Sequence, residues 1–173
     1  IGATTSLILA RRGAKVVSVS NVDVNANTIT DCILQEGNEG MGLVADCTKA
    51  EGAKALLDVA FSHPIKLVAN ALGVPPDWML KMGKDNNVKV AALLGTAQHA
   101  INQVKAGVDI LVVSGTEAGG HRGSVPTMVL IPEVHQAIQP YGNVPILAAG
   151  GIATGRQMAA AMSMGASGEI GRA

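Results

Sequence analysis

The chain has 173 residues, 48% of them hydrophobic and 15% charged, with Lys plus Arg and Asp plus Glu both at 13, so its formal net charge is zero. That length buries one domain's core without staples, while the charge balance leaves no basic field for nucleic acid or an anionic membrane. Trp78, Tyr141 and Phe61 are too few for a base-stacking platform, and no apolar run approaches the roughly 18 residues of a membrane span.

The opening IGATTSLILARRG has neither a basic start nor a cleavage site, so no signal peptide is expected, and it lacks an initiator Met. These features point to a fragment or processed chain, soluble and cytoplasmic. A helix over 3–12 should stop at Gly13, strand KVVSVS (15–20) follows, and a second helix over 25–36 should stop at Gly37. Strand MGLVAD (41–46), a helix over 49–62, strand IKLVAN (65–70), a helix over 76–84 and strand VKVAALL (88–94) come next. Thr96 is positioned to cap a helix over 96–106 that Gly107 ends, and strand DILVVS (109–114) follows. A helix over 131–139 with Pro132 in its first turn, strand VPILAA (144–149) and a helix over 155–164 complete the pattern. The strands are almost continuously apolar, as in parallel strands covered on both faces. Alternation of this kind predicts an α/β fold, either a barrel or an open doubly wound sheet.

Two loops concentrate the chemistry. GTEAGGHRG (115–123) follows a strand, at the end where α/β folds keep their reactive groups, and its glycines allow backbone to approach a ligand. VPILAAGGIATGRQ delivers Gly150 and Gly151 just before Thr154 and Gly155 open a helix, whose free N–H groups and dipole favour an anion. The competing reading is a tight turn that needs glycine for packing alone. Cys32 and Cys47 have no close partner and read as buried thiols; His63, His99 and His135 lack metal-ligand spacing, so no metal is expected. Met158 and Met162 read as core filling, and Asp23 as a helix cap or a ribose-binding acid.

Residues 1–62 resemble the N-terminal part of a short-chain dehydrogenase/reductase: IGATTSLILARRGAKVV is similar to its first helix and second strand, and LVADCTK to its third strand with Asp46. From about 64 to 168 the strings HPIKLVANALGVPPDW, VAALLGTAQHAINQVKAGVDILVVSGTEAGGHRG, TMVLIPEV and VPILAAGGIATGRQMAAAMSMGASG resemble the nitronate monooxygenase (2-nitropropane dioxygenase) family of FMN-dependent barrels. The resemblance changes at ANALG (69–73) and again within GASGEIGRA (165–173), which implies a chimera. A single α/β domain is expected over 1–173, with a dehydrogenase-like portion over 1–62 and a flavin-binding portion over 63–173.

The second resemblance implies an incomplete TIM-like barrel with Rossmann-like βα units at its N-terminus, and FMN as cofactor. It implies Ala118, Gly119 and Gly120 against the flavin, Ala149, Gly150 and Gly151 at its phosphate, and Gly171 and Arg172 as further contacts. His121 becomes the catalytic base or electrostatic partner for a nitroalkane or nitronate oxidised by dioxygen. Glu117 and Arg122 are then loop anchors. Open strand edges in such a barrel favour a homo-oligomer.

Departures from both patterns keep other readings in play. The dehydrogenase-like portion has no complete glycine loop and no Tyr-x-x-x-Lys pair follows, since Tyr141 has Pro145 four residues on. On the nitronate monooxygenase side, the N-terminal strand against the flavin is missing, Ser114 stands where glutamine is common, and GEIGRA replaces the strand that usually ends in Gly-Thr. The alternatives are an NAD(P)-dependent short-chain dehydrogenase, a flavin-dependent enoyl reductase fitting 109–155, and an inactive chimeric fragment.

Overall fold

The computed structural model describes residues 2–20, 23–71, 73–120 and 122–170, with the backbone alone for 2–6, 18, 20, 23, 24 and 26. The chain forms two compact units, residues 1–64 and 65–173.

The first unit runs α1 (Gly2–Arg11), β1 (Val16–Ser20), α2 (Asp23–Gln35), β2 (Gly40–Val44) and α3 (Ala50–Phe61). Strands β1 and β2 pair in parallel with Val16 opposite Gly40, so α2 is the crossover of a βαβ unit. Ile33 of α2 is fully buried, and a Cβ on Gly40 would stand 2.8 Å from its Cγ2, which is how helix and strand approach so closely. Asp46 fixes the turn before α3: its Oδ1 accepts from the Thr48 hydroxyl at 2.6 Å and the Thr48 N–H at 3.1 Å. Those two donors, the hydroxyl foremost, hold its carboxyl below the usual range. Asp46 thus has a local structural task. Asp23 is the first residue of α2, not a cap before it.

The second unit runs β3 (Leu67–Asn70), α4 (Asp77–Asp85), β4 (Lys89–Leu94), α5 (Ala97–Ala106), β5 (Ile110–Ser114), α6 (Thr127–Ile138), β6 (Ile146–Ala149), α7 (Gly155–Ser163) and β7 (Gly168–Ile170). Its five strands are all parallel and lie in the order β3-β4-β5-β6-β7. Each strand therefore neighbours its successor. A doubly wound sheet reverses direction at a switch point, whereas unidirectional winding is the TIM-barrel pattern. The fold is α/β of barrel type, with β3 and β7 as edges of an incomplete barrel among the described residues.

Register shows which side chains share a face. Ala92, Leu111 and Ile146 form one row and Leu94, Val113 and Ala148 the next, and none is more than 4% exposed. This is the face the helices cover, since a Cβ on Gly83 of α4 would stand 2.6 Å from Val90 Cγ2. Leu130, Ile131, Val134 and Ile138 supply the buried stripe of α6. On the other face Leu67 and Ile170 are 43% and 49% exposed.

Three expectations need correction. Helix α6 begins at Thr127, so Pro132 lies inside it and not in its first turn. Cys32 is half-buried and Cys47 exposed. Met158 and Met162 are exposed, because Ala161, about 100° round the helix from Met162, is the residue that α7 buries. Strand β7 is an addition; Glu169 breaks its apolar pattern yet pairs opposite Ala148, and its buried Oε2 has no hydrogen-bond partner among the described residues.

Candidate functional site

The loop after β5 and the loop after β6 open at the same end, because the parallel register sets Ser114 beside Ala149. The Gly115 N–H continues that pairing by donating to the Ala149 carbonyl at 3.3 Å. Local bonds then fix the base of the 115–126 loop: the Thr116 N–H donates to the Val125 carbonyl and the Ala118 N–H to the Gly115 carbonyl, both at 3.1 Å.

Glu117 is the loop's lock. Its Oε2 accepts from the Thr127 N–H at 2.9 Å, the Thr127 hydroxyl at 2.9 Å and the Thr116 hydroxyl at 3.1 Å. It therefore caps α6 from ten residues upstream, a task the N-cap residue Pro126 cannot perform with its own side chain. The Thr127 N–H bond, before the hydroxyls, holds the Glu117 carboxyl below the ordinary range. With the folded-state value depressed, the stabilising contribution is complete above the unfolded value and is lost as pH falls through the folded one. Glu117→Ala is expected to cost about 1 kcal/mol, the usual worth of a helix cap. Urea unfolding checks this, and acidification should weaken the parent more than the variant.

The same lock reaches the second loop. Gly150 and Gly151 have φ of 105° and 73°, and a Cβ on Gly150 would stand 2.5 Å from the Ala118 N atom. Glycine at 150 is thus required by backbone packed against backbone. Beyond it Thr154 and Gln157 form a reciprocal capping box on α7: the Thr154 hydroxyl accepts the Gln157 N–H at 3.3 Å and Gln157 Oε1 accepts the Thr154 N–H at 3.0 Å. Gly155 meets nothing within 4 Å of a Cβ position, so the start of α7 is open to approach.

Of the residues singled out in the sequence, Ala118, Gly119 and Gly120 lie on the first loop, Ala149 ends β6, and Gly150 and Gly151 follow it on the second loop. His121, Gly171 and Arg172 lie outside the described residues. Glu117 is an anchor as expected. Arg122 is not held as one: it makes no ion pair or hydrogen bond among the described residues and lines a cavity of about 190 Å³ at the carboxyl ends of β3, β4 and β5. His99, read as structural or simply exposed, lines the same cavity. The string LLGT marks only the local structure there, a strand that ends at Leu94 and a helix that Thr96 caps. Among the described residues no three His, Cys, Asp or Glu side chains gather as a metal site, and no helix is long and apolar enough to cross a membrane.

The nitronate monooxygenase family model matches residues 13–172, running through most of the segment that resembles a dehydrogenase. A provisionally named monooxygenase of Mycobacterium tuberculosis is 57% identical over 118 residues, covering 68% of this chain and 31% of the relative. A provisionally named nitronate monooxygenase of Staphylococcus saprophyticus is 30% identical over 136 residues, covering 72% of this chain and 37% of the relative. The chain thus spans about a third of the length of these curated relatives. Among solved structures, a FabK variant from Thermotoga maritima superposes with a TM-score of 0.62 at 35% identity, covering 68% of this chain and 38% of that one. Nitroalkane oxidase from Streptomyces ansochromogenes gives 0.63 at 23% identity over 96% of this chain and 53% of that one, a likeness of fold. With a sequential parallel βα sheet and a match across nearly its whole length, the chain belongs to the nitronate monooxygenase family, a family of oxidoreductases.

Proposed function

We propose that the chain is the flavin-binding part of an FMN-dependent oxidoreductase that oxidises alkyl nitronates or nitroalkanes with dioxygen. The observation that carries this reading is the meeting of the 115–126 and 150–154 loops at one end of a family-matched parallel sheet. Chemistry in such folds is held at that end.

The residues present suit a flavin phosphate. Gly150 and Gly151 run into the N-terminus of α7, where approach at Gly155 is open and Arg156 adds a positive charge in the first turn. In this reading Ala149, Gly150 and Gly151 hold the phosphate, Ala118, Gly119 and Gly120 run beside the ring, and Gly171 and Arg172 add contacts. FMN when bound supplies the acceptor for the nitronate's electrons and passes them to dioxygen. The protein's own work is placement and proton handling. His121, between glycines on the loop that Glu117 fixes, takes the acidic α-proton of a neutral nitroalkane. A cytoplasmic setting and pairing of strand edges between copies belong to the same reading.

Gly155→Asp separates phosphate binding from folding. Aspartate in a helix's first turn stabilises it by about 0.3–1 kcal/mol, yet its charge opposes an incoming phosphate. The expected outcome is loss of bound flavin, seen as loss of visible absorbance, with unfolding midpoint unchanged or slightly raised. Full flavin occupancy in the variant contradicts the site.

A further inference from the structure

The cavity at the ends of β3, β4 and β5 has a mixed lining. Ala71, Leu93 and Leu94 give it apolar surface and Thr96, His99 and Arg122 polar surface, and among the described residues no acidic one lines it. Its position is built by the fold. A Cβ on Gly95 would stand 2.7 Å from both Cα and N of Gly123, so the backbone bearing Arg122 is pressed against the turn that starts α5. Thr96 caps that helix by accepting the His99 N–H at 3.2 Å, which fixes where the His99 turn begins. Beneath it Gln103, one turn on from His99 and only 1% exposed, donates to the carbonyls of Gly73 and Leu93 at 3.2 and 3.0 Å. Both of those residues line the cavity, so the helix and the cavity wall are tied together. The Gln103 Oε1 is buried with no partner among the described residues.

We infer that Arg122 and His99 form an anion-holding subsite that fixes the charged oxygens of the substrate while its alkyl group lies against Ala71, Leu93 and Leu94. The inference takes its substrate class, a small alkyl anion, from the function proposed above. The cavity is small, about 190 Å³, and open to solvent on one side. That suits a short branched anion and falls below the 300–1,000 Å³ usual for sites that enclose a drug-sized ligand. The guanidinium supplies the fixed charge and a paired-donor geometry suited to two oxygens of one head group. His99, on α5, adds a second donor to the same lining. Arg122 is thereby a specificity-determining residue, separate from the proton-transfer role proposed for His121.

Binding is measured without turnover, by titrating isobutyrate into the protein and following NMR chemical shifts. Isobutyrate has the size and charge of a three-carbon nitronate but cannot be oxidised through that route. The expected results are saturable shifts at the cavity, no comparable binding of the neutral isobutyramide, and a loss of roughly tenfold or more in affinity for Arg122→Gln. Arg122→Lys should keep part of the affinity, His99→Gln should lose less than Arg122→Gln, and Lys105→Gln, on the exposed side of α5, should match the parent. Isobutyrate binding that is absent, equal in Arg122→Gln, or matched by isobutyramide overturns the subsite. The same variants are then assayed with FMN and an alkyl nitronate. Arg122-dependent isobutyrate binding without nitronate oxidation keeps the subsite and removes the oxidation reading, whereas oxidation with an unchanged KM in Arg122→Gln removes the subsite alone.

Discussion

His121→Ala should slow oxidation of a neutral nitroalkane by on the order of 10² to 10⁴, the contribution of a positioned general base. The same substitution should slow oxidation of the preformed nitronate much less, since that substrate has already lost its α-proton. The asymmetry matters more than the size of either loss, because general damage to the site would slow both substrates alike. A kcat/KM comparison on the two substrates reads it directly. Equal and negligible losses would make His121 a bystander, and equal large losses would assign it to binding or to the loop's architecture.

Gly115→Ala carries the largest expected structural effect. A Cβ at 115 would overlap the Thr127 backbone N and hydroxyl and stand 2.5 Å from Thr127 Cα, so relief requires moving the start of α6 and not a side chain. Overpacking of that kind costs about 1–3 kcal/mol. It also pulls Thr127 from Glu117, whose bonds at 2.9 Å hold the loop to the helix. Stability and activity should therefore fall together, whereas His121→Ala should leave stability intact. Urea unfolding of the two variants side by side checks the contrast; an unchanged midpoint for Gly115→Ala would show that the loop yields more easily than its contacts imply.

The elements that the sequence made legible are those whose signals are local. Strands such as VKVAALL and DILVVS were readable because both faces are apolar, and Thr96 and Gly107 mark α5 at the expected places, with Gly107 at φ 93°. The start of α6 was not readable, because its cap comes from Glu117, ten residues away across a loop. Strand β7 was missed for a related reason: Gly168 and Glu169 have no strand pattern of their own and are ordered by pairing with β6. In the site, GTEAGGHRG and the AAGG loop announced themselves through glycine density after strands. The cavity did not. It depends on Gly95 meeting Gly123 across 28 residues of chain, a contact with no trace in local composition, and so Arg122 read as a loop anchor and His99 as a structural or exposed residue. The choice of barrel over doubly wound sheet likewise waited for strand order, which alternation of βα units alone does not determine.

The central claim, that these loops hold FMN and bring an alkyl nitronate to it, is tested most directly by one anaerobic spectrum. The protein is mixed with FMN, freed of unbound cofactor, and given propane-2-nitronate in the absence of oxygen. The account predicts a protein-bound flavin absorbance that bleaches on addition of the nitronate. No retained flavin, or a retained flavin whose spectrum the nitronate leaves unchanged, would contradict it.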